Sequence, residues 1–575
     1  MSKSKWSTQP KTDEWNTESN WEPEVVPTDE AVFSESSENN ITFSPTSKAQ
    51  VNTIEFTKDA SPFTFKIGVA ATDPALTIGE GVVNNSEHNQ QFIVASNGVT
   101  YKEPQLKFTN SATAGGENVH YYAGPSSLEG GFGGGIIGFS DNATAGSASF
   151  IVKTGAGIPP KKGSTVGAEV SFCDNSSAGR GHFKSYGTLG TDGDTFGNVV
   201  FHDDSNADHG TFISVGGTVN GGDGGNTQFY DNANAAHGVY INYGGTIDQA
   251  NGGDAVFDGN SNGGHGHFYN YAAEAAGAYG GVISFNNNPP NVQTGGSSAG
   301  EGCFHNYGAT VKELGGGGHI EFGAVHGCPT AGNGAFNNYG SMISDNSSAG
   351  HTIFSINLPT DYFPTAGNGT FWNHPSMVKD GTAGYTEFSV YGTGSGTNVP
   401  TAGEATFYNL GGKVSGAVGG YTTFSGSSDA ANSTLVSFGG TNGGAGGRIV
   451  FSDSSLGGEA TVFLYGNGEL DISYHENELT IGSLEMSGGT IVVQLGDNPT
   501  GLTLSGDLTL NSGLVAFSFP TDGGTFEYDK PYTILTCPNL SNFQENQFVW
   551  NNLDGVKSSF SIVGNNLQVS FSKEE

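Results

Sequence analysis

The chain has 575 residues, including 93 Gly, 38 Phe and 21 Tyr, and a formal net charge of −36. Glycine this abundant without a strict Gly-X-Y period excludes collagen, and the aromatic content argues against disorder. The acidic excess would repel a nucleic acid duplex or an anionic membrane. No stretch approaches eighteen consecutive apolar residues, so no transmembrane helix is expected.

Residues 1–50 read as a polar, acidic N-terminal segment. Their opening, MSKSKWSTQPKTDEW, has no apolar core of the kind a secretory signal peptide needs. Residues 51–107 read as irregular strands forming an N-terminal β cap. Residues 108–465 are a repeat. Its anchors are Phe108, Phe139, Phe172, Phe201, Phe229, Phe257, Phe285, Phe322, Phe354, Phe388, Phe424 and Phe451, separated by 27 to 37 residues. Such a period signals stacked units that bury a shared core. Two residues before most anchors stands a small or β-branched residue, such as Val199, Thr227 or Ile283. Alternation of this kind marks a strand with one buried face.

A second aromatic or aliphatic position often follows the anchor by eleven residues, as Phe183, Phe212, Tyr240 and Phe268 do. It continues at Phe304, Phe336, Phe371, Phe407, Leu435 and Val462. Val219, Ile247, Val311, Ile343, Val378 and Val414 suggest a third short strand in each unit. Glycine clusters between the strands supply corners. Residues 466–575 break into shorter strand-like runs and read as a C-terminal β region or cap. The predicted fold is all-β: a right-handed parallel β-helix (solenoid) of about twelve coils with N- and C-terminal β caps.

Three series of polar residues share this period. Asn242, Asn270, Asn306, Asn338, Asn373 and Asn409 fall two residues after the second anchor, hence on its inward face. They predict a buried amide ladder. His209, His237 and His265 fall eight residues after their anchors and predict a row on one turn. They are read as an exposed ladder, with a zinc site or a pH-sensitive stripe as the functional alternatives. Asp141, Asp174, Asp203, Asp231 and Asp453 fall two residues after theirs. Turn capping through local backbone amides is expected, with Ca²⁺ binding as the alternative. No cofactor is otherwise expected. Cys173, Cys303, Cys328 and Cys537 show no metal-binding spacing and read as isolated thiols, with a Cys303–Cys328 disulfide as the alternative.

Four successive units lengthen the path between the two anchors to 19, 14, 17 and 19 residues. These insertions, within 286–303, 323–335, 355–370 and 389–406, fall at one corner and are expected to form a ridge. Asp361, Tyr362, Phe363 and Tyr391, with Trp372 nearby, are the candidate binding residues. Aromatic side chains suit sugars and protein partners.

The opening NTESNWEPEVVPTDEAVFSESSENNITFS, the segment LTIGEGVVNNSEHNQQFIV, repeats such as FCDNSSAGRGHFKSYG and the tail YTILT…FSIVGNNLQVSF carry a resemblance. The chain resembles bacterial extracellular β-helix proteins with autotransporter-associated β-strand repeats, the passenger-domain-like surface proteins. That resemblance implies a secreted or cell-surface scaffold for adhesion, with a glycan or a cell-surface protein as partner. Alternatives from other classes are a polysaccharide-acting β-helix enzyme and a structural protein that self-associates end to end. Fragments such as GGHGHF at 263–268 and HDD at 202–204 fall inside the repeat, which accounts for them without catalysis.

Overall fold

The computed structural model describes residues 2–44, 46–68, 75–95, 104–124, 134–154, 167–189, 196–286, 295–324, 327–357, 361–391, 398–496, 499–511, 513–520, 525–551 and 555–573. The chain is all-β with almost no helix. Among the described residues the only helical turns are three 3₁₀ turns of three residues each. Thirty-six strands belong to repetitive, mostly parallel pairing, and five form a second sheet. The chain divides into two compact units, residues 1–283 and 284–575.

In the first unit the strands from Glu30 onward each pair in parallel with the strand two places along the chain, while Trp21–Glu22 pairs antiparallel with Lys3–Trp6. Asn198–Phe201 pairs with Asn226–Phe229, which pairs with Asp254–Phe257, always anchor to anchor. The alternate strands do the same: Thr211–Ser214 pairs with Val239–Asn242, and that with His267–Asn270. Each repeat therefore contributes one strand to each of two stacks. Identical residues are superposed, because a slip of one residue would turn every buried side chain outward.

The core follows from that register. Phe108, Phe139, Phe172, Phe201, Phe229 and Phe257 form a column with centroids 4.7–4.8 Å apart. Phe65, Phe92, Tyr121, Phe150, Phe183, Phe212, Tyr240 and Phe268 form a second, spaced 4.5–5.0 Å. The columns meet edge to face, as at Phe201 and Phe212, 5.7 Å apart at 75°. Both arrangements satisfy the ring quadrupole, offset within a column and T-shaped between columns. Residues 1–50, read from sequence as polar and acidic, place Trp6, Trp15 and Trp21 in the core. The three pack around Phe33 at the start of the columns.

The second unit repeats this plan. Phe285, Phe322, Phe354, Phe388, Phe424 and Phe451 stack at 4.6–4.9 Å. Phe304, Phe336, Phe371 and Phe407 stack at 4.5–4.8 Å. The repeat then gives way to the long strand Thr461–His475, paired in parallel with Ser483–Val492. A five-stranded sheet follows and ends in an antiparallel hairpin, Val556–Val563 with Asn566–Lys573.

Among the described residues the expected third strand does not form. Val219, Ile247, Val311, Ile343, Val378 and Val414 all lie in bends. Ile247 and Val414 are each 42% exposed. Glycine explains the difference: the segments holding these residues form lobes in which backbone packs on backbone. A Cβ on Gly350, at the neck of one lobe, would lie 1.9 Å from the Asn306 carbonyl oxygen. The lobe closes there through the Gly350 amide, which donates to the Tyr339 carbonyl at 2.8 Å.

The corner between the two strands holds a regularity that periodicity alone did not reveal. A Ser, Thr, Asn or Asp is followed by a small residue and then by a residue with positive φ. Thr365-Ala366-Gly367 is typical: Gly367 has φ +57° and its amide donates to Thr365 Oγ1 at 3.1 Å. The Ala366 amide donates to the Thr401 carbonyl one repeat on, at 2.9 Å. Each corner thus satisfies its own backbone and pairs with the next.

The asparagine ladder forms as expected. In the first unit Asn242 Nδ2 donates to Asn270 Oδ1 at 2.9 Å. In the second, Asn306 donates to Asn338 at 2.8 Å, Asn338 to Asn373 at 3.0 Å and Asn373 to Asn409 at 2.9 Å. Spare capacity ties the two strand stacks together. Asn338 Nδ2 also donates to the Tyr385 carbonyl, and Asn338 Oδ1 accepts from Thr352 Oγ1.

Two substitutions test this core. Phe229→Ala should cost about 3–5 kcal/mol in chemical denaturation, the range for truncating a buried ring. Asn338→Asp should cost about 3 kcal/mol or more at neutral pH, since a buried carboxylate would face acceptor oxygens. Its folded-state pKa would lie above the unfolded value, so the deficit should be smallest in acid and deepen as pH rises through the folded value. Urea melts across that range measure it.

Candidate functional site

The four insertions expected to form a ridge lie within the second unit. They leave from strand ends that are themselves in register: His351–Asn357 pairs with Tyr385–Tyr391 along its whole length, ending at Asn357 beside Tyr391. The last three return at stacked Pro-Thr steps, and the first at Ser297-Ser298. The Thr365 amide donates to the Pro329 carbonyl at 3.0 Å, and the Thr401 amide to that of Pro364 at 3.1 Å. Departure and return are thus in register among the described residues of these insertions. Residues 287–294, 325–326, 358–360 and 392–397 of the insertions lie outside the described residues.

The candidate residues divide between two places. Asp361 is exposed, and its carbonyl accepts Asn398 Nδ2 from the next insertion at 2.7 Å. Tyr362 and Phe363 come next, immediately before the buried Pro364, and are half-buried rather than fully exposed. Tyr391 is 51% exposed and donates its hydroxyl to Glu387 Oε1 at 3.1 Å. Trp372 belongs to another element. It lies on the outward face of the second strand and stacks on Tyr408, centroids 5.9 Å apart.

His209, His237 and His265 form the expected row, with centroids 5.2 and 5.0 Å apart and planes within 22° and 7° of parallel. His209 Nδ1 is 2.6 Å from Asp208 Oδ1. Parallel imidazoles do not converge on one point as tetrahedral metal ligands do. Among the described residues no group of three or more His, Cys, Asp or Glu could hold a metal ion.

The aspartates cap turns, but across repeats rather than locally. Asp141, Asp174, Asp203 and Asp231 have φ of 52–58°. Each carboxylate accepts the amide of its counterpart one repeat earlier. The Asn110 amide donates to Asp141 at 2.8 Å, that of Asp141 to Asp174 at 2.9 Å, that of Asp174 to Asp203 at 3.0 Å and that of Asp203 to Asp231 at 3.2 Å. An Asp tolerates this left-handed backbone better than most residues, which fits its use here.

Two outward-facing ladders in the second unit went unread in the sequence. His319, His351, Tyr385 and Tyr421 begin successive first strands and stack at 4.8–5.0 Å. Tyr307, Tyr339 and His374 each follow a ladder asparagine, and stack at 5.1 and 4.5 Å. The recurring Asn-Tyr and Asn-His pairs were the available signal, obscured because only inward positions were aligned. Burial pushes the His351 imidazole down to about 3, helped by the charge of neighbouring His319. Burial, then Lys413 and His305, holds His374 at about 4. Burial also raises the Tyr421 phenol to about 12.

No protein-family model matches the chain, and no curated protein matches its sequence. Among the described residues, no helix is long and apolar enough to cross a membrane.

The histidines give the second unit an acid sensitivity. The folded pKa of His351 lies below the ordinary 6.5, so the unfolded chain binds its proton first as pH falls. Stability from this site is complete above about 6.5 and declines from there toward about 3. His351→Tyr, which continues the tyrosine stack, should flatten the acid-side dependence of Tm relative to the parent. An unchanged slope between pH 6.5 and 4 would show that burial of this imidazole does not set it.

Proposed function

We propose that this protein is a non-enzymatic scaffold for adhesion or interaction, displayed outside the cell. Its repeats form a right-handed parallel β-helix of about twelve coils, and it binds through the ridge of insertions. The observation that carries the reading is the registration of that ridge. Successive insertions leave and return at stacked backbone positions, and the Asn398 side chain joins one to the carbonyl of Asp361 in another. Residues that serve only as connections need no such order, whereas a surface that recognises a partner gains from preorganisation.

The chemistry of the ridge suits a neutral glycan or a protein surface. Exposed Tyr391 and Asp361 supply hydroxyl, carboxylate and ring edge, and the half-buried Tyr362 and Phe363 supply apolar area. With a net charge of −36, an anionic polymer is the least suited ligand. The resemblance to autotransporter-associated repeat proteins points the same way, toward display at a cell surface.

The test is retention on glycan arrays and on cells. Tyr391→Ser and the double change Tyr362→Ser with Phe363→Ser should each reduce binding. Tyr391→Ser should leave Tm unchanged, since exposed substitutions usually stay within about 0.5 kcal/mol. Undiminished binding by both variants on every surface the parent recognises would remove the ridge as the interaction site.

A further inference from the structure

The outward face of one second strand carries a nucleophile, a base and a third group that orients the base. Cys303 and His305 lie two residues apart in the strand Cys303–Asn306 and therefore on the same face. Both are half-buried. Cys303 Sγ is 3.4 Å from His305 Nε2, within hydrogen-bonding range for sulfur. His305 Nδ1 is 3.1 Å from the Tyr339 hydroxyl one repeat on. The Tyr339 ring is held in turn between Tyr307 and His374, at 5.1 and 4.5 Å. When Nδ1–H donates to the phenol oxygen, the Nε2 lone pair faces the thiol. A nucleophile in contact with a base that another group orients is the general arrangement for activating a thiol.

We propose that Cys303 is a reactive thiol, activated by His305, that forms mixed disulfides with small uncharged disulfides. In the step, the Cys303 S–H proton passes to His305 Nε2 as sulfur attacks one sulfur of the disulfide. A bond forms between Cys303 and that sulfur, and the disulfide's own S–S bond breaks. The departing thiolate takes the proton from the imidazolium and leaves as a thiol. Atoms and electrons balance, with the small disulfide as oxidant. Tyr339 is a positioning residue, whose oxygen accepts the Nδ1 proton in both charge states of the ring.

The reaction class follows from the setting. The pair sits on a sheet face, so reagents reach it from solvent. Thiol–disulfide exchange develops charge on sulfur and needs no oxyanion-binding donors. A net charge of −36 disfavours anionic disulfides, and the half-buried setting of the pair disfavours charged reagents of either sign, which leaves uncharged ones. Burial raises the Cys303 thiol above its ordinary value. The thiolate is therefore not standing ready, and the imidazole must take the proton during attack. Among the described residues, Cys303 is the thiol that has an imidazole and a hydroxyl in line. Cys173 and Cys537 are pushed up to about 11, chiefly by burial. Cys328 is likewise half-buried, and no disulfide joins the two, since all four cysteines are free.

The test treats the full chain with uncharged 4,4′-dithiodipyridine at neutral pH and follows each cysteine by peptide mass spectrometry after quenching. Cys303 should react roughly tenfold or more faster than Cys328. His305→Ala should remove that advantage, and added imidazole should restore part of it at Cys303 while leaving Cys328 unchanged. Tyr339→Phe, which keeps the ring stack and deletes only the hydroxyl, should slow Cys303 and spare Cys328. The constant Cys328 rate reports that the fold survives each change. Equal rates at Cys303 and Cys328 in the parent, or a Cys303 rate unaltered by His305→Ala, would overturn the proposal.

Discussion

In-register superposition of identical positions, one repeat on the next, is the constraint on which everything else rests. Most strands of the repeat have only four or so residues and could not hold a sheet alone. The strands persist because every neighbour presents the same face at the same height. Phenylalanine meets phenylalanine at under 5 Å, and asparagine meets asparagine at hydrogen-bond distance. Burying an amide is costly unless both its donor and its acceptor are used. In the middle of the ladder they are: Asn338 gives to Asn373 and receives from Asn306. The ladder therefore penalises any slip of register while stabilising the correct one.

The same constraint explains how polar surface features arise. A residue that recurs at one place in the repeat becomes a row in space, whatever its chemistry. The histidine row and the aspartate row are two outcomes of one mechanism. In the aspartate row the superposition does structural work, because each carboxylate satisfies an amide of the repeat before it. In the histidine row it yields parallel rings. The insertions and the Cys303–His305 pair are different in kind. The insertions interrupt the repeat, and Cys303 and His305 stand where the next repeat carries Ala335 and Asn337, so chemistry specific to one place becomes available there, beside the recurring Tyr339.

Much of this was legible in the sequence, and the parts that were not share a cause. The phenylalanine anchors and the ladder asparagines could be read because they are large or polar residues at fixed offsets. Val219 and Ile247 misled because an apolar residue near glycine resembles a strand in one dimension. In three dimensions the glycines permit backbone-on-backbone lobes with no room for a pleated strand. The Thr-Ala-Gly corner was missed because its signal lies in a left-handed backbone and a buried alanine, neither of which has an apolar period. Trp6, Trp15 and Trp21 were missed because isolated tryptophans in an acidic segment do not raise its average hydropathy, yet they cover the first rings of the core. At the candidate site, the place of Tyr362 and Phe363 in the chain could be read, but their half-burial could not, since burial is set by packing in three dimensions and not by sequence period.

If register is what the fold depends on, one whole repeat should be removable and a fraction of one should not. Deleting residues 226–253, a single 28-residue repeat, brings Gly225 to Asp254 and superposes Phe201 on Phe257 and Ser214 on Asn270. Deleting 226–239, half as many residues, sets the strands after the junction against the wrong partners in the repeat before it. The deciding measurement is thermal unfolding of the two deletion proteins beside the parent. The account predicts a cooperative transition close to the parent's for the full-repeat deletion and loss of cooperative folding for the half-repeat deletion. Equal damage from both deletions, or equal tolerance of both, would contradict it.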